Sequence, residues 1–465
     1  MFYQVPQHID NNKIFIVQRS EIEGRLDPKM ALYNRKVQNS LYPKVKLKDV
    51  LVCKPQYGAS EPGVPRSSIK EPRYIRITDI DENGLISHDE LGATAKIIED
   101  KYILCENDIL IARSGATVGK AYIHKPALYD CFFAGYLIRF IINTDKALPE
   151  YIFTYTQLNA YKEWVNAIQR PSGQPNINSE EYQSLEIPLP NIERQQVIVD
   201  VIKSAYLQKK QKKSEAKQLL DNVDAYILNE LGITLPEIKT DLKNRIFKVN
   251  RSELEERLDP TVYKDGIKLI SNNYDNVKLS SVAYINPTGT FKGKDIETPI
   301  SFIPMESIDE IYSEVSKLED TTIENASGFT KFKEGDLLWA KITPCMQNGK
   351  SAIAKNLTNG LGCGSTEFFV MRNKDERLAI EYLHVILHMK CVRETAMLYF
   401  GGSAGQQRVS SAFLENFNLP LPPKDKQIEI ANHVYTIRQK AKALQEEGKV
   451  LLEEAKRKVE SMIIG

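Results

Sequence analysis

With 465 residues, 42% of them hydrophobic and 26% charged, the chain has a globular composition and is too long for one ordinary core, which argues for several domains. Its richest apolar stretch, 131–142, is interrupted by Arg139 and is shorter than the ~20 residues of a membrane-spanning helix, so no span is expected. A net charge of +1 is low for a protein that neutralises phosphates, so a DNA-binding surface here would require an uneven distribution of charge.

Residues 1–10 have neither the basic start nor the apolar run of a signal peptide, which gives a cytoplasmic expectation. The first β-rich runs follow at 74–80, 109–113 and 132–142, separated by Gly, Pro and Asn turn signals. A helix is predicted over 149–164, and proline closes this region at 187–190. A helix of about forty residues is then predicted over 191–231, with Gly232 as its stop. Its apolar stripe is Ile198, Val201, Ala205, Leu219, Val223 and Tyr226.

The series then starts again. Residues 15–28 and 247–260 share ten identities in fourteen, including Arg19 with Arg251 and the run Arg25 to Pro28 with Arg257 to Pro260. The offset of 232 recurs for Val45 with Val277, Pro188 with Pro420, and Gln195 with Gln427, so the chain is two copies end to end. Further β-rich runs are read at 337–342 and 367–371, a helix at 379–397, a second proline closure at 419–422, and a second long helix at 424–463. In that helix Ala441, Leu444, Gly448, Leu451, Ala455 and Met462 keep heptad spacing, with small residues that permit close helix approach. The frames of the copies agree while their middles differ, as suits two readers of unlike ligands on one scaffold.

Several motifs approach known chemistry and fall short of it. Gly115, Gly119 and Lys120 resemble a phosphate loop one residue short, and Ala121 stands where its magnesium-binding Ser/Thr belongs. The run Asn348 to Ser351 ends like such a loop, yet Pro344 occupies the first glycine position. His384 and His388, four apart, lack the glutamate of a zinc-binding H-E-x-x-H pair and read as a plain helix face. The glycine-rich segment 400–405 has no accompanying methyltransferase catalytic motif, and no carboxylate set for metal-assisted cleavage is found. The six cysteines, Cys53, Cys105, Cys131, Cys345, Cys363 and Cys391, contain no C-x-x-C pair and are expected to be reduced structural thiols.

What remains is a set of polar loops in matching places. In the first copy they offer Arg113, Ser114, Thr117 and Lys120, then Arg170, Ser172, Gln174 and Asn176; in the second, Lys341, Thr343, Gln347, Asn348 and Lys350, then Ser403, Gln406, Gln407 and Arg408. Arg, Gln and Asn make bidentate contacts with base edges, and the glycines between them let backbone amides approach phosphates, so these are the candidate DNA-binding residues. Lys209, Lys210, Lys212 and Lys213 form a basic run on the first long helix, a candidate surface for an acidic partner or the DNA backbone.

On residues 107–120 and 172–177 of the first copy and 335–351 and 364–370 of the second, the chain resembles the specificity subunits of type I restriction-modification enzymes over essentially its whole length. Residues 257–260, 419–422, Gln427 and Ile428 fit as well, whereas Gln347 stands where related segments often carry Glu. The resemblance implies two target-recognition domains, each reading half of a split, asymmetric double-stranded DNA site, with two helices fixing the spacer. It further implies two methyltransferase subunits that clamp those helices and carry S-adenosylmethionine, and restriction/translocase subunits that bring ATP and Mg; this chain itself would hold no cofactor and no catalytic site.

The expected fold is therefore α+β with an internal pseudo-twofold duplication. Mainly β recognition domains are assigned to 1–190 and 233–422, the latter entered by a linker at 233–246. They are separated by conserved spacer helices at 191–232 and 423–465, packed as an antiparallel coiled coil. Two alternatives stand beside this reading: the recognition subunit of a type IIB restriction-modification enzyme, and a coiled-coil scaffold whose end domains bind protein or carbohydrate.

Overall fold

The computed structural model describes residues 16, 28–36, 40–86, 91–169, 175–236, 248–249, 251, 260–402 and 406–464. Most of the 15–28 and 247–260 repeat lies outside the described residues, as does most of the 233–246 linker. The chain forms two compact units, Met1–Gln211 with Glu447–Gly465, and Lys212–Glu446, so that each long helix contributes to both. Among the described residues no helix is long and apolar enough to cross a membrane.

In the first unit the strands Gln56–Tyr57, Leu137–Phe140, Ile109–Ala112 and Ala121–Ile123 form one antiparallel sheet in that order. A second sheet orders Gly63–Pro65, Ala93–Ala95, Arg73–Ile75 and Cys131–Phe133, with its last pair parallel. The apolar stretch 131–142 therefore divides around Gly135, one strand going to each sheet, and 74–80 leaves its strand at Ile75 for a single 3-10 turn, Ile77–Asp79. Ile109–Ala112 is buried throughout because its two faces serve two cores. Ile109 and Ile111 pack with the helices, while Leu110 and Ala112 pack with the second sheet.

The second unit repeats this plan with Ala283–Ile285, Phe368–Asn373, Leu337–Ala340 and Ser351–Ile353 in one sheet. Its other sheet orders Glu319–Thr322, Pro299–Ile303, Leu361–Gly364 and Thr330–Lys333, and Pro299–Ile303 runs parallel to Leu361–Gly364. The expected helices over 149–164 and 379–397 are each two helices, Pro149–Tyr155 with Asn159–Ile168 and Ile380–His388 with Lys390–Met397. In the second pair the break falls at Met389, which is extended and buried.

Each unit is closed by the same two-stranded pairing. Val45 pairs with Ile187 and Lys44 with Pro188, as Val277 pairs with Leu419 and Asn276 with Pro420. Both prolines thus lie within a strand of a two-stranded ribbon, where an edge position tolerates the missing N–H. The buried glutamine that follows locks each closure to its domain. Gln195 accepts from Leu148 N (2.8 Å) and donates to the Pro190 carbonyl (2.8 Å). Gln427 accepts from Ala379 N (2.8 Å) and donates to the Arg377 and Pro422 carbonyls (2.8 Å each). Tyr151 and Tyr382 add equivalent bonds to the carbonyls of Pro188 and Pro420.

The second long helix is unbroken over Lys424–Ile463, while the first runs Ile192–Asp221 and resumes as Val223–Glu230 after Asn222. Gly232, at φ 61°, ends it as expected, with Ile233 N returning to the Leu228 carbonyl (2.9 Å). Within each unit the two helices run antiparallel. In the first unit Ile198 and Ile202 share a core with Val459 and Ile463, and a Cβ on Gly448 would lie 3.4 Å from Lys209 Cα. In the second, Ala216 packs with Ala441 and Leu444, the Tyr226 and His433 rings lie 4.1 Å apart, and Glu230 meets Lys426 at 2.5 Å.

The buried stripe is not quite the expected one: Leu452, Val459 and Ile463 are buried in place of Leu451 and Met462, and Ile202 and Ile227 in place of Val201 and Tyr226. These helices cover a domain as well as each other, so their apolar face is wider than a coiled-coil seam and follows the 3.6 rather than the 3.5 period.

Candidate nucleic-acid interface

The site is built at the end of the central strand of each first-named sheet. A residue with positive φ, Asn107 (70°) or Gly335 (81°), turns the chain into that strand. The next side chain, Asp108 or Asp336, accepts the backbone N–H of the residue three before it, Cys105 (2.9 Å) or Lys333 (2.8 Å). Arginine neutralises the buried aspartate in both copies, Arg139 at 3.4 Å from Asp108 and Arg372 through two bonds to Asp336 at 2.7 and 2.6 Å. Burial pushes the Asp108 carboxyl above its ordinary range, against the backbone bond and Arg139, which lower it.

At the far end of the strand, the two loops singled out in each copy meet. Ile177 N donates to the Arg113 carbonyl (2.8 Å) and Gly115 N to the Pro175 carbonyl (2.9 Å). In the second copy Val409 N donates to the Lys341 carbonyl (2.9 Å) and Thr343 N to the Gln407 carbonyl (3.0 Å). Ser114 faces Asn176, and Ile342 faces Arg408, in matching antiparallel bridges. Residues 60 or more apart in sequence thus form one short ribbon, carrying Arg113, Ser114 and Asn176 in the first copy and Lys341, Thr343, Gln407 and Arg408 in the second. Arg170, Ser172, Gln174 and Ser403 lie outside the described residues, and Gln406 is exposed at the ribbon's edge.

The cation at the head of the ribbon is in the same state in both copies. The Arg113 guanidinium lies 5.0 Å above the Tyr57 ring, and its Nε is buried without a hydrogen-bond partner. Lys341 Nζ lies 5.7 Å above the Phe369 ring. Neither side chain has an acceptor among the described residues. Stacking of this kind contributes about 0.5–1 kcal/mol at partly exposed sites and leaves the donors available. The N–H groups of Arg113 and Lys341 bond the carbonyls of Tyr136 (3.0 Å) and Glu367 (2.9 Å). At this matching position the copies part: Tyr136 is 64% exposed, whereas the Glu367 carboxylate grips Arg408 through bonds of 2.8 to 3.1 Å. Arg408 in turn holds the Glu367 carboxyl below its usual pKa.

Other candidates are committed elsewhere. Lys120 Nζ donates to the Ile80 carbonyl (2.7 Å) and Lys350 Nζ to the Met305 carbonyl (3.1 Å), so each ties the ribbon's loop to a 3-10 turn of the second sheet. Asn348 donates to Glu310 (3.1 Å), and Gln347 lies against Met397, its carbonyl accepting from Arg393. Thr117 sits in the turn Gly115–Thr117. There the N–H groups of Val118, Gly119 and Lys120 bond the carbonyls of Gly115, Ala112 and Thr117, so these three amides are not free for a phosphate.

Lys210 and Lys213 are exposed, while Lys209 and Lys212 are partly covered. His384 and His388 are not a plain face: His384 is buried and His388 half-buried, and they are bonded to Ser351 Oγ (3.0 Å) and the Glu310 carbonyl (3.2 Å). The cysteines are free, but Cys53 and Cys105 are exposed, so not all are buried thiols. Among the described residues no group of three His, Cys, Asp or Glu has the geometry to hold a metal ion.

Sequence reasoning missed Tyr57, Tyr136 and Glu367. The first two carried no signal in their own neighbourhoods, because each acts through a strand pairing that joins distant segments. Glu367 stood inside the segment 364–370 that carried the resemblance, but its partner Arg408 is 41 residues away.

The chain matches the model of the type I restriction modification DNA specificity domain over residues 73–219 and again over 271–453. It is 35% identical over 168 residues to the type I restriction enzyme EcoEI specificity subunit of Escherichia coli, and 34% over 183 residues to the EcoAI specificity subunit of the same organism. Those alignments take in 35% and 38% of this chain but only 27% and 29% of the two relatives. A chain solved in work on complex assembly and conformational transition of the type I R-M system has the same fold, with a TM-score of 0.51 at 16% identity over 90% of this chain and 96% of that one. One match of the family model falls on each copy of the repeat, and the chain belongs to the family of type I restriction modification DNA specificity domains.

Proposed function

We propose that this chain is the DNA-specificity subunit of a type I restriction-modification system, reading a bipartite double-stranded target with one half-site per copy and performing no catalysis itself. The observation that carries the reading is the ribbon of each copy, headed by an uncommitted cation stacked on an aromatic ring, Arg113 on Tyr57 and Lys341 on Phe369. Such cations suit phosphate or guanine contacts, and Ser114, Asn176, Thr343, Gln406 and Gln407 beside them suit base edges. Thr117, Arg170, Ser172, Gln174, Gln347, Asn348, Ser403 and Arg408 belong to the same proposed surface, while Lys120 and Lys350 brace it from behind.

The recognition domains are assigned to 1–190 and 233–422, and the helices at 191–232 and 423–465 set the length of DNA left unread and dock two methyltransferase subunits, with Lys209, Lys210, Lys212 and Lys213 on that surface. Restriction/translocase subunits complete the assembly. With a net charge of only +1, the chain alone binds DNA weakly and the methyltransferase supplies much of the electrostatic grip.

Selection from a random duplex pool by the full chain with its methyltransferase is expected to enrich two short sequences around an unread spacer. R113A and K341A should each blur one half and spare the other. A pool that gains no split sequence, or variants that leave both halves intact, would overturn the assignment. Titration of one duplex with and without the methyltransferase tests the electrostatic part, which equal affinities would remove.

A further inference from the structure

The second unit contains a cavity of about 690 Å3 beside the helix Lys424–Ile463. That volume lies within the ~300–1,000 Å3 typical of small-molecule sites. Val315, Ile353, Val385 and Ile428 give it apolar walls, and Ser313 and Arg438 line it as well.

Arg438 is the unusual member. It is 7% exposed, yet it makes no hydrogen bond or ion pair with any described residue. An unpaired buried charge costs several kcal/mol unless something compensates it. The other charged groups of the wall are already matched: Lys355 with Glu381 at 3.9 Å, and Glu314 with Lys442 at 2.6 Å and Gln439 at 2.6 Å. Asp224, which also attracts Arg438, is shared with Arg393 and accepts a bond from Lys390 N at 2.8 Å. Burial keeps His384, on the same wall, and the neighbouring His388 neutral at ordinary pH. One positive charge is therefore left over.

Ser313 stands in the same wall. Ser313 is 5% exposed and holds a left-handed φ of 58°, and its hydroxyl is buried without a partner. A buried donor left unmade costs about 1–3 kcal/mol. The unpaired arginine fork offers parallel donors that suit a carboxylate or phosphate. Glu314 and Glu381 in the wall oppose a second negative charge, which selects the carboxylate.

We propose that this cavity binds a small molecule bearing a single carboxylate on an apolar body, with the carboxylate on Arg438 and the body against Val315, Ile353, Val385 and Ile428. The site is independent of the DNA-reading proposal and lies on different residues.

Isothermal titration of the full chain with hexanoate, 1-hexanol and inorganic phosphate tests it. Hexanoate should bind saturably at one site, with hexanol and phosphate at least about tenfold weaker. R438M should abolish hexanoate binding, and R438K should retain part of it. Absence of saturable hexanoate binding, hexanol binding as tight as hexanoate, or retained affinity in a folded R438M would overturn the proposal. Because R438M removes a buried group and can disturb folding, the hexanoate-to-hexanol ratio on the unaltered chain decides by itself.

Discussion

The two copies differ most where their side chains point outward and least where side chains hold backbone. Gln195 and Gln427, Tyr151 and Tyr382, and Lys120 and Lys350 make the same backbone bonds in both. At the reading ribbon, by contrast, Arg113 is answered by Lys341, Asn176 by Arg408, and Tyr136 by Glu367. Even the buried aspartate is neutralised from different ladder positions, since Arg139 faces Leu110 whereas Val370 faces Leu338. A buried polar group that fixes the backbone has few tolerable replacements, because its loss strands several partners at once, whereas an outward side chain answers only to its ligand.

The largest test of this contrast is to remove a backbone lock. Q427L leaves Ala379 N–H and the Arg377 and Pro422 carbonyls unpaired, and should cost the second unit about 3–5 kcal/mol; Q195L strands two groups and should cost the first about 2–4. Each unit has its own buried tryptophan, Trp164 in the first and Trp339 in the second. Urea unfolding of W164F and W339F backgrounds therefore reads them separately. Unshifted transitions in Q427L would show that the shared glutamine is not what holds the closure.

Acid should separate the copies next. Two residues beyond the matched tyrosines, the first copy has Phe153 and the second has His384, and Ala121 likewise stands where the second has Ser351. Burial, aided by the Arg438 charge, pushes His384 down to about 3, and His388 is likewise depressed, mainly by burial and also by Arg438 and Arg393. Below about pH 6.5 the unfolded chain takes up protons at these positions that the folded chain refuses, so the second unit loses stability as pH falls, by about 1.4 kcal/mol per pH unit for each histidine. The loss from His384 continues until pH nears about 3. Replacing the pair by the first copy's residues, H384F with S351A, should roughly halve the slope followed through Trp339. An unchanged slope would place the acid sensitivity elsewhere.

The duplication, the second long helix at 424–463, the closing strands and the polar loops were legible because each rests on local spacing or on repetition at one offset. Three things were not. The division of 131–142 between two sheets was hidden, since a continuous apolar run looks alike whether it stays in one sheet or changes sheet at Gly135. The buried helix stripe was displaced by a residue because the domain packs against the helices as well. The duty of Lys120 and Lys350 was misread for a third reason. A lysine after Gly119 or Gly349 resembles a phosphate ligand, and its real acceptor, the Ile80 or Met305 carbonyl, lies 40 or 45 residues away.

At the ribbon, R113A and K341A should each weaken DNA binding by about 1–3 kcal/mol with urea midpoints nearly unchanged, measured by titration at fixed salt. Equal losses for K120A and R113A would contradict the division between bracing and reading residues.

The smallest and most discriminating change is E367Q. In the first copy the matching position is Tyr136, and no carboxylate holds the ribbon there among the described residues; in the second, Glu367 holds the Arg408 guanidinium. E367Q removes that grip and one negative charge, so the slope of log affinity against log salt should steepen by about one unit, the signature of one added phosphate contact. Acid should act the same way on the unaltered chain. Arg408 holds Glu367 below its ordinary pKa, so the pair outlasts the pH at which a free glutamate would be half protonated and opens at lower pH. An E367Q slope identical to that of the parent would mean that Arg408, freed, reaches no phosphate, and that the second copy reads through its other ribbon residues, Lys341, Thr343 and Gln407 among them.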